Sequence, residues 1–192
     1  MIQFELDNMI DFHRHWLRDK RFGARADFTD RTLKNLNITY KDLTGAIFKD
    51  SKIHSCDFSN ANLTDVIASQ AYFHDVNFTN ATFKNAYLRK AKFTLSTFSN
   101  TDLWNVSGDG VYIISLQLGR KNVCYTSEIL QVNCKQLDIK KIWRMSDDEV
   151  INKTWEYSED ELKEMAQWWV KWRCHIYQIV NLNPAEPVNS PK

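Results

Sequence analysis

The sequence predicts a mainly β chain. A square β-helical coil stack spans residues 26–106, an amphipathic capping segment precedes it (1–25), and a small α/β module (107–182) and a disordered tail (183–192) follow. Three observations carry this expectation. A large apolar residue recurs every five positions through the middle of the chain. Pro184, Pro187 and Pro191 are the only prolines, and no glycine falls between Gly45 and Gly108. Ordinary tight turns use more of both, so this chain turns by another device. Finally, 43% of the 192 residues are hydrophobic, which suits a packed core rather than a disordered chain.

The period fixes the geometry of the middle segment. Of the sixteen residues from Phe28 to Leu103 whose numbers end in 3 or 8, all but Ala68 are Phe, Leu or Ile. Two positions before each, from Ala46 to Thr101, the residue is small: Ala, Ser, Cys, Val or Thr. The other three positions of each five are mostly polar. Five fits neither the 3.6-residue helix nor the two-residue strand. It fits a chain that turns a corner every five residues and points one large and one small apolar residue inward. Four sides close a coil of 20 residues, and four coils at strand spacing make a rod of roughly 19 Å. The polar residues then occupy the corners, which accounts for the missing Gly and Pro.

The flanking elements follow in order. Residues 7–20 read as an amphipathic helix with Met9, Ile10, Phe12, His13, Trp16 and Leu17 along one side. Such a helix covers the open first coil, whose unpaired backbone otherwise invites aggregation. In that coil Arg31, Leu36 and Lys41 replace small inward residues. Charges cannot enter the core, so this coil is expected to be frayed or distorted. After Val106 the rhythm stops. VYIISLQL (111–118) and NVCYTSEILQVNC (122–134) read as strands, with LGRKN as a turn. SDDE (146–149) and SEDE (158–161) are capping boxes that start helices, the second running to about Leu182 with Leu162, Met165, Ala166, Trp169, Trp172, Ile176 and Val180 on its apolar side.

ANLTD (61–65), ATFKN (81–85), AYLRK (86–90) and AKFTL (91–95) resemble the pentapeptide-repeat family, whose pattern is roughly Ala-(Asp/Asn)-Leu-X-X. The resemblance covers Ala26 to about Val106 and implies a right-handed quadrilateral β-helix. The opening IDFHRHWLRDKRFGARADF and the Trp-rich end QWWVKWRCHIYQIV resemble a phage and prophage subset of that family, with an N-terminal helix and a C-terminal β-plus-helix extension. Some pentapeptide-repeat proteins mimic B-form DNA and bind type II topoisomerases. Residues 26–105, however, hold eight acids and nine bases, and Asp30 and Asp50 stack below Gln70 and Lys90, so no column of carboxylates runs up a face.

Residue chemistry narrows function further. Nucleophile-elbow, phosphate-loop, H-E-x-x-H and C-x-x-C motifs are absent, so no catalytic residues, metal or cofactor are expected. His54 and His74 stack on adjacent coils, but Lys34 and Thr94 continue their column and complete no ligand set. Cys124 and Cys134 are expected to be reduced and to face each other across paired strands. The sharper anomaly is apolar. On one outer side the residue before the central position reads Asp27, Ile47, Ile67, Tyr87, with Tyr72 on the adjacent side. Something is expected to cover these residues: either the chain's own C-terminal strands or Trp-rich helix, or a partner or second copy. Leu95 and Trp104 also point outward and are expected to meet the extension. A weaker candidate is a nucleotide-like ligand held by Arg120 and Lys121 with Trp143, Trp168 and Trp172.

No run of 18 apolar residues exists, and the N-terminus lacks a signal-peptide pattern, so the expected location is the cytoplasm, the host's if the chain is phage-encoded. The net charge of +1 argues against direct nucleic-acid binding. The resulting expectation is a non-enzymatic phage or prophage interaction protein that binds and blocks a host factor, with counter-defence as one setting. The alternatives are a DNA-mimic binder of DNA gyrase and a small-molecule module in the C-terminal domain.

Overall fold

The computed structural model describes residues 1–108, 113–118, 121–126, 129–132, 135–154 and 159–182. Helix α1 (Gln3–Arg18) comes first. Four three-residue strands follow at 20-residue intervals: β1 (Thr32–Lys34), β2 (Lys52–His54), β3 (Tyr72–His74) and β4 (Lys92–Thr94). They pair parallel in chain order, with Leu33, Ile53, Phe73 and Phe93 in register. Isolated parallel bridges repeat the same offset on the other sides, as in Asp27–Ile47–Ile67–Tyr87–Ser107 and Asn37–Asp57–Asn77–Thr97.

The corners are left-handed residues. Every fifth residue from Asp30 to Asn105 has φ between +49° and +72°, and Asp or Asn occupies most of these positions. Those two side chains tolerate the αL conformation best after glycine. A second device shapes the sides. Where Asp or Asn precedes the central residue, its side chain accepts the amide two residues on, as Asp57 does from Ser59 (2.9 Å) and Asn77 does from Thr79 (3.0 Å). On the side occupied by β1–β4 that position holds Thr32, Lys52, Tyr72 and Lys92. None of these makes the Asx turn, and this side runs as extended strand.

The interior is a ladder of rings and small residues. Phe28 stacks on Phe48 at 4.6 Å and Phe73 on Phe93 at 4.9 Å, while Ala46, Ala61, Ala71, Ala81 and Ala86 fill the remaining space fully buried. Buried hydroxyls are satisfied by backbone: Ser51 donates to the Phe48 carbonyl (2.6 Å) and Thr101 to that of Phe78 (2.8 Å).

The first coil is neither frayed nor distorted, contrary to expectation. β1 is in register with β2, Leu33 and Leu36 are buried, and Arg31 is turned outward. The reason is α1, which starts earlier than its stripe suggests. Leu6, Ile10 and His13 are its buried residues, whereas Phe12 is 59% exposed. Gln3 pairs with Asn37 as a missing rung would, its Oε1 accepting the Asn37 amide (2.9 Å) and its Nε2 donating to the Asn37 carbonyl (3.0 Å). After the helix the chain doubles back through Gly23 (φ +76°), where a Cβ would lie 2.2 Å from the Phe12 carbonyl oxygen.

The far end carries a four-stranded antiparallel meander: β5 (Ile114–Leu118), β6 (Lys121–Tyr125), β7 (Ile129–Val132) and β8 (Lys135–Asp138). β8 and the short α2 (Ile139–Ile142) were not expected. The sheet alternates as a strand must. Cross-strand neighbours Cys124, Gln131 and Gln136 face the last coil; Val123, Tyr125, Leu130, Val132 and Leu137 enter a second core with Val150, Met165, Trp169 and Ile176. Helices α3 (Asp147–Thr154) and α4 (Glu159–Leu182) complete that core. The first capping box forms, with Ser146 Oγ accepting the Glu149 amide (3.2 Å) and Glu149 accepting the Ser146 amide (3.0 Å). Ser158 of the second lies outside the described residues, as do Cys134, Arg120 and the tail. The register neighbour of Cys124 is Gln131, and the expected facing of Cys124 and Cys134 falls outside the described residues.

Candidate interaction surface

Both ends of the coil stack are closed by the chain itself, so the sides remain. At the C-terminal end Gln131 Oε1 accepts the Leu103 amide and its Nε2 donates to Asp102 (both 2.7 Å), while Gln136 donates to the Thr101 carbonyl. The chain's own C-terminal strands or Trp-rich helix is one of the two covers expected for the apolar side, beside a partner or second copy. Among the described residues the sheet seats on the last rung, and α4 packs on the far face of the sheet.

The bridges place Ile47, Ile67 and Tyr87 in one vertical column. Ile47 and Ile67 are half-buried by one another, and Tyr87 is 39% exposed. On the next side Tyr72 is half-buried and fixed: its hydroxyl accepts from Thr94 (3.1 Å), and its ring meets His54 edge-on at 5.6 Å. Leu95 is 47% exposed. Trp104 is half-buried, with the Lys84 ammonium 4.4 Å above its ring. Ile47, Ile67 and Tyr87 thus line one side and Tyr72 the next, with Leu95 at the far corner of Tyr72's side and Trp104 on the side that precedes the column.

The other candidates fall elsewhere. His54 and His74 do stack, with ring centroids at 5.8 Å, and the second ring's Nδ1 lies 2.9 Å from the Thr94 hydroxyl. Burial, and then the nearby His74, Lys34 and Lys52, push the His54 imidazole below its usual value. No metal-binding group of His, Cys, Asp or Glu occurs among the described residues. Trp143 lies parallel to Trp169 (6.5 Å) and edge-on to Tyr177 (5.2 Å); Trp168 and Trp172 are partly buried on the second core. Lys121 lies in β6, and its side chain, like Arg120, is outside what is described.

Sequence reasoning missed several positioning residues. Gln3, Gln131 and Gln136 act through end-rung geometry that no short motif encodes. Asp147 accepts both the Trp169 indole (2.9 Å) and Arg173, tying α3 to α4. The period-five pattern was the only signal strong enough to place a surface.

With this geometry the coils define a solenoid of five-residue repeats. Residues 26–65, 56–94 and 69–105 match the family of pentapeptide repeats, in 8 copies. The coil segment of this chain is a run of such repeats. Among solved structures, a pentapeptide repeat protein of the Arabidopsis thaliana thylakoid lumen is similar over 43% of this chain and 65% of its own, with 16% identity and a TM-score of 0.26. Rfr23, from the cyanobacterium Cyanothece, is similar over 43% and 60%, with 25% identity and a TM-score of 0.25. QnrB1, a plasmid-mediated fluoroquinolone resistance protein, is similar over 44% and 75%, with 11% identity and a TM-score of 0.22. The chain spans less than two thirds of the first two. No curated protein matches it. No described helix is long and apolar enough to cross a membrane.

Proposed function

We propose that this chain is a non-enzymatic binding protein whose partner, another protein, covers the Ile47–Ile67–Tyr87 column and Tyr72. The supporting observation is that Ile47, Ile67 and Tyr72 stay partly exposed and Tyr87 39% exposed although both ends of the coils are closed. Water-facing apolar columns of this kind mark interfaces. The phage-type resemblance of the flanking segments favours a host factor as the partner, blocked by a right-handed solenoid of about four coils in the host cytoplasm. Counter-defence is the setting that fits such a blocker. Homodimerisation through the same column is the competing occupant. Mimicry of DNA is disfavoured, because carboxylates do not align: Asp50 accepts from Gln70 (2.7 Å) and Asp65 from Asn85 (3.0 Å).

Affinity capture from host lysate tests the proposal. The wild type is expected to retain a specific protein that Ile67→Asp loses, while Ile67→Asp keeps a cooperative melt. Capture of the same protein by both, or of none by either, contradicts it.

A further inference from the structure

The side next to the apolar column carries a charge pattern of its own. The register of β1–β4 places Lys52, Tyr72 and Lys92 in one column and Lys34, His54, His74 and Thr94 in the next. The three lysines are exposed. Among the described residues, none of them has a carboxylate within ion-pairing distance. Elsewhere on the coils Lys41 pairs with Asp7 (3.6 Å), Lys49 with Asp50 (3.8 Å), and Lys84 lies on Trp104. The corners that flank this side hold three carboxylates: Asp30 and Asp50 on the edge toward the apolar column, where Asp50 is met by Lys49 (3.8 Å) and Gln70 (2.7 Å), and Asp75 on the other edge, which accepts from the Ser55 hydroxyl (2.8 Å).

We propose that the β1–β4 side is the polar half of the interface and takes an acidic polypeptide surface of the partner. This rests on the apolar-column reading and names the partner's chemistry. Three features favour a polypeptide over a nucleic acid. The adjoining column is aliphatic at Ile47 and Ile67, which suits side chains rather than phosphates. The ring of Tyr72 is packed edge-on to His54, and its hydroxyl is held by Thr94 and His74, so it is a fixed wall rather than a free stacking platform. Lys52 and Lys92 are two rungs apart, about 10 Å, a spacing bracketed by same-face carboxylates two and four residues apart on an extended segment, about 7 and 13 Å, within the reach of flexible lysine stems. Because the strands and the Tyr72–His74–Thr94 bonds fix this side in advance, little ordering is needed on binding.

The side is also pH-sensitive in a definite sense. His54 faces Lys34 on β1, Lys52 on its own strand, and Tyr72 and His74 on β3. Burial, and then His74, Lys34 and Lys52, disfavour its charged form, and an arriving carboxylate stabilises the imidazolium. Affinity for an acidic partner therefore rises as pH falls from 8 to 6.

Fluorescence anisotropy with labelled poly-L-glutamate, beside labelled oligo-dT of equal charge, tests this on the full chain at low salt. Wild type is expected to bind polyglutamate about tenfold more tightly than the triple variant Lys34→Glu, Lys52→Glu, Lys92→Glu, and more tightly than it binds oligo-dT. The pH dependence is expected to flatten in His54→Gln. All substitutions are on exposed or half-exposed positions, and coincident melting curves check folding. Equal polyglutamate affinity in wild type and triple variant overturns the proposal, as does a preference for oligo-dT. Ile67→Asp keeps the two readings apart. It is expected to hold polyglutamate within about threefold of wild type. If it also keeps its captured protein, the apolar column has failed and the basic side stands. If the triple variant keeps polyglutamate, the basic side has failed whatever Ile67→Asp does.

Discussion

The two ends of the solenoid face the same physical problem and solve it with different elements. Each end rung presents backbone amides and carbonyls with no further coil to pair with. At the first coil a helix lies across the opening, and Gln3 reads both backbone groups of Asn37. At the last coil a β-sheet lies across it, and Gln131 and Gln136 reach Leu103, Asp102 and Thr101. In both cases a glutamine side-chain carbonyl accepts the amide that an absent rung would have paired; Gln3 also donates to the carbonyl of the same residue, whereas Gln131 donates to the Asp102 carboxylate. What differs is burial. The bonds of Gln3 are exposed, whereas the Leu103–Gln131 bond is buried. The N-terminal cap therefore depends more on apolar packing and chain geometry, and the C-terminal cap more on its polar clamp.

The largest effect is expected at Gly23. Ala there meets a positive φ and a clash at 2.2 Å with the Phe12 carbonyl. Loss of about 2–4 kcal/mol is expected from the left-handed penalty together with the forced shift. Hydrogen exchange should quicken in residues 3–25 and the first coil while β7 stays protected. Uniform loss of protection would break the comparison by showing that the two caps unfold as one.

Next come the clamps. Gln131→Ala leaves the buried Leu103 amide without its acceptor and is expected to cost about 1–3 kcal/mol. Gln3→Ala leaves groups that water reaches and is expected to cost about 0.5–1.5 kcal/mol. Urea midpoints for the two variants give the order directly. The reverse order would contradict the assignment of the polar clamp to the C-terminal end.

The smallest effect is a pH dependence peculiar to the N-terminal cap. His13 is buried, and its Nδ1 accepts the Ala26 amide (3.1 Å), so the neutral ring is required; its Nε2 has no hydrogen-bond partner within 3.5 Å among the described residues. Burial foremost, with Lys20 and Arg25 adding to it against Asp42 and the Thr44 backbone, lowers its folded value below 6.5. The native state then binds fewer protons than the unfolded one. Its contribution is full above about pH 6.5 and is lost as pH falls through the depressed folded value. The wild-type melting temperature should drop between pH 7.5 and 5.5. His13→Asn, which keeps an acceptor for Ala26, should drop less. His54, lowered in the same direction, accounts for part of the remainder.

The comparison also shows what the sequence makes legible. The coils could be read because each five-residue unit repeats its own instruction, a large and a small inward residue and an Asp or Asn at the corner. Even the outward column of Ile47, Ile67 and Tyr87 was visible, as a departure from that instruction. The caps could not be read in the same way. Gln3 and Gln131 acquire their roles only when a helix end and a strand are set against a particular rung. β8 is short and polar at Lys135 and Gln136, and Gly23 reads like any loop glycine until the doubling-back of residues 19–25 is known. Arg31 and Lys41 misled for the same reason: a charge at an inward position looked disruptive, but at the first coil the side chain has room to turn outward.

The central claim is that the column at Ile47, Ile67 and Tyr87 is a protein-binding side of the coils, left open by both caps. A photo-crosslinking side chain placed at position 67, with position 79 on the neutral Asn/Thr side as control, tests it most directly in lysate. One intermolecular product is expected from position 67 and none from position 79. Crosslinks from position 67 into residues 107–182 of the same molecule, or equal products from both positions, would contradict it.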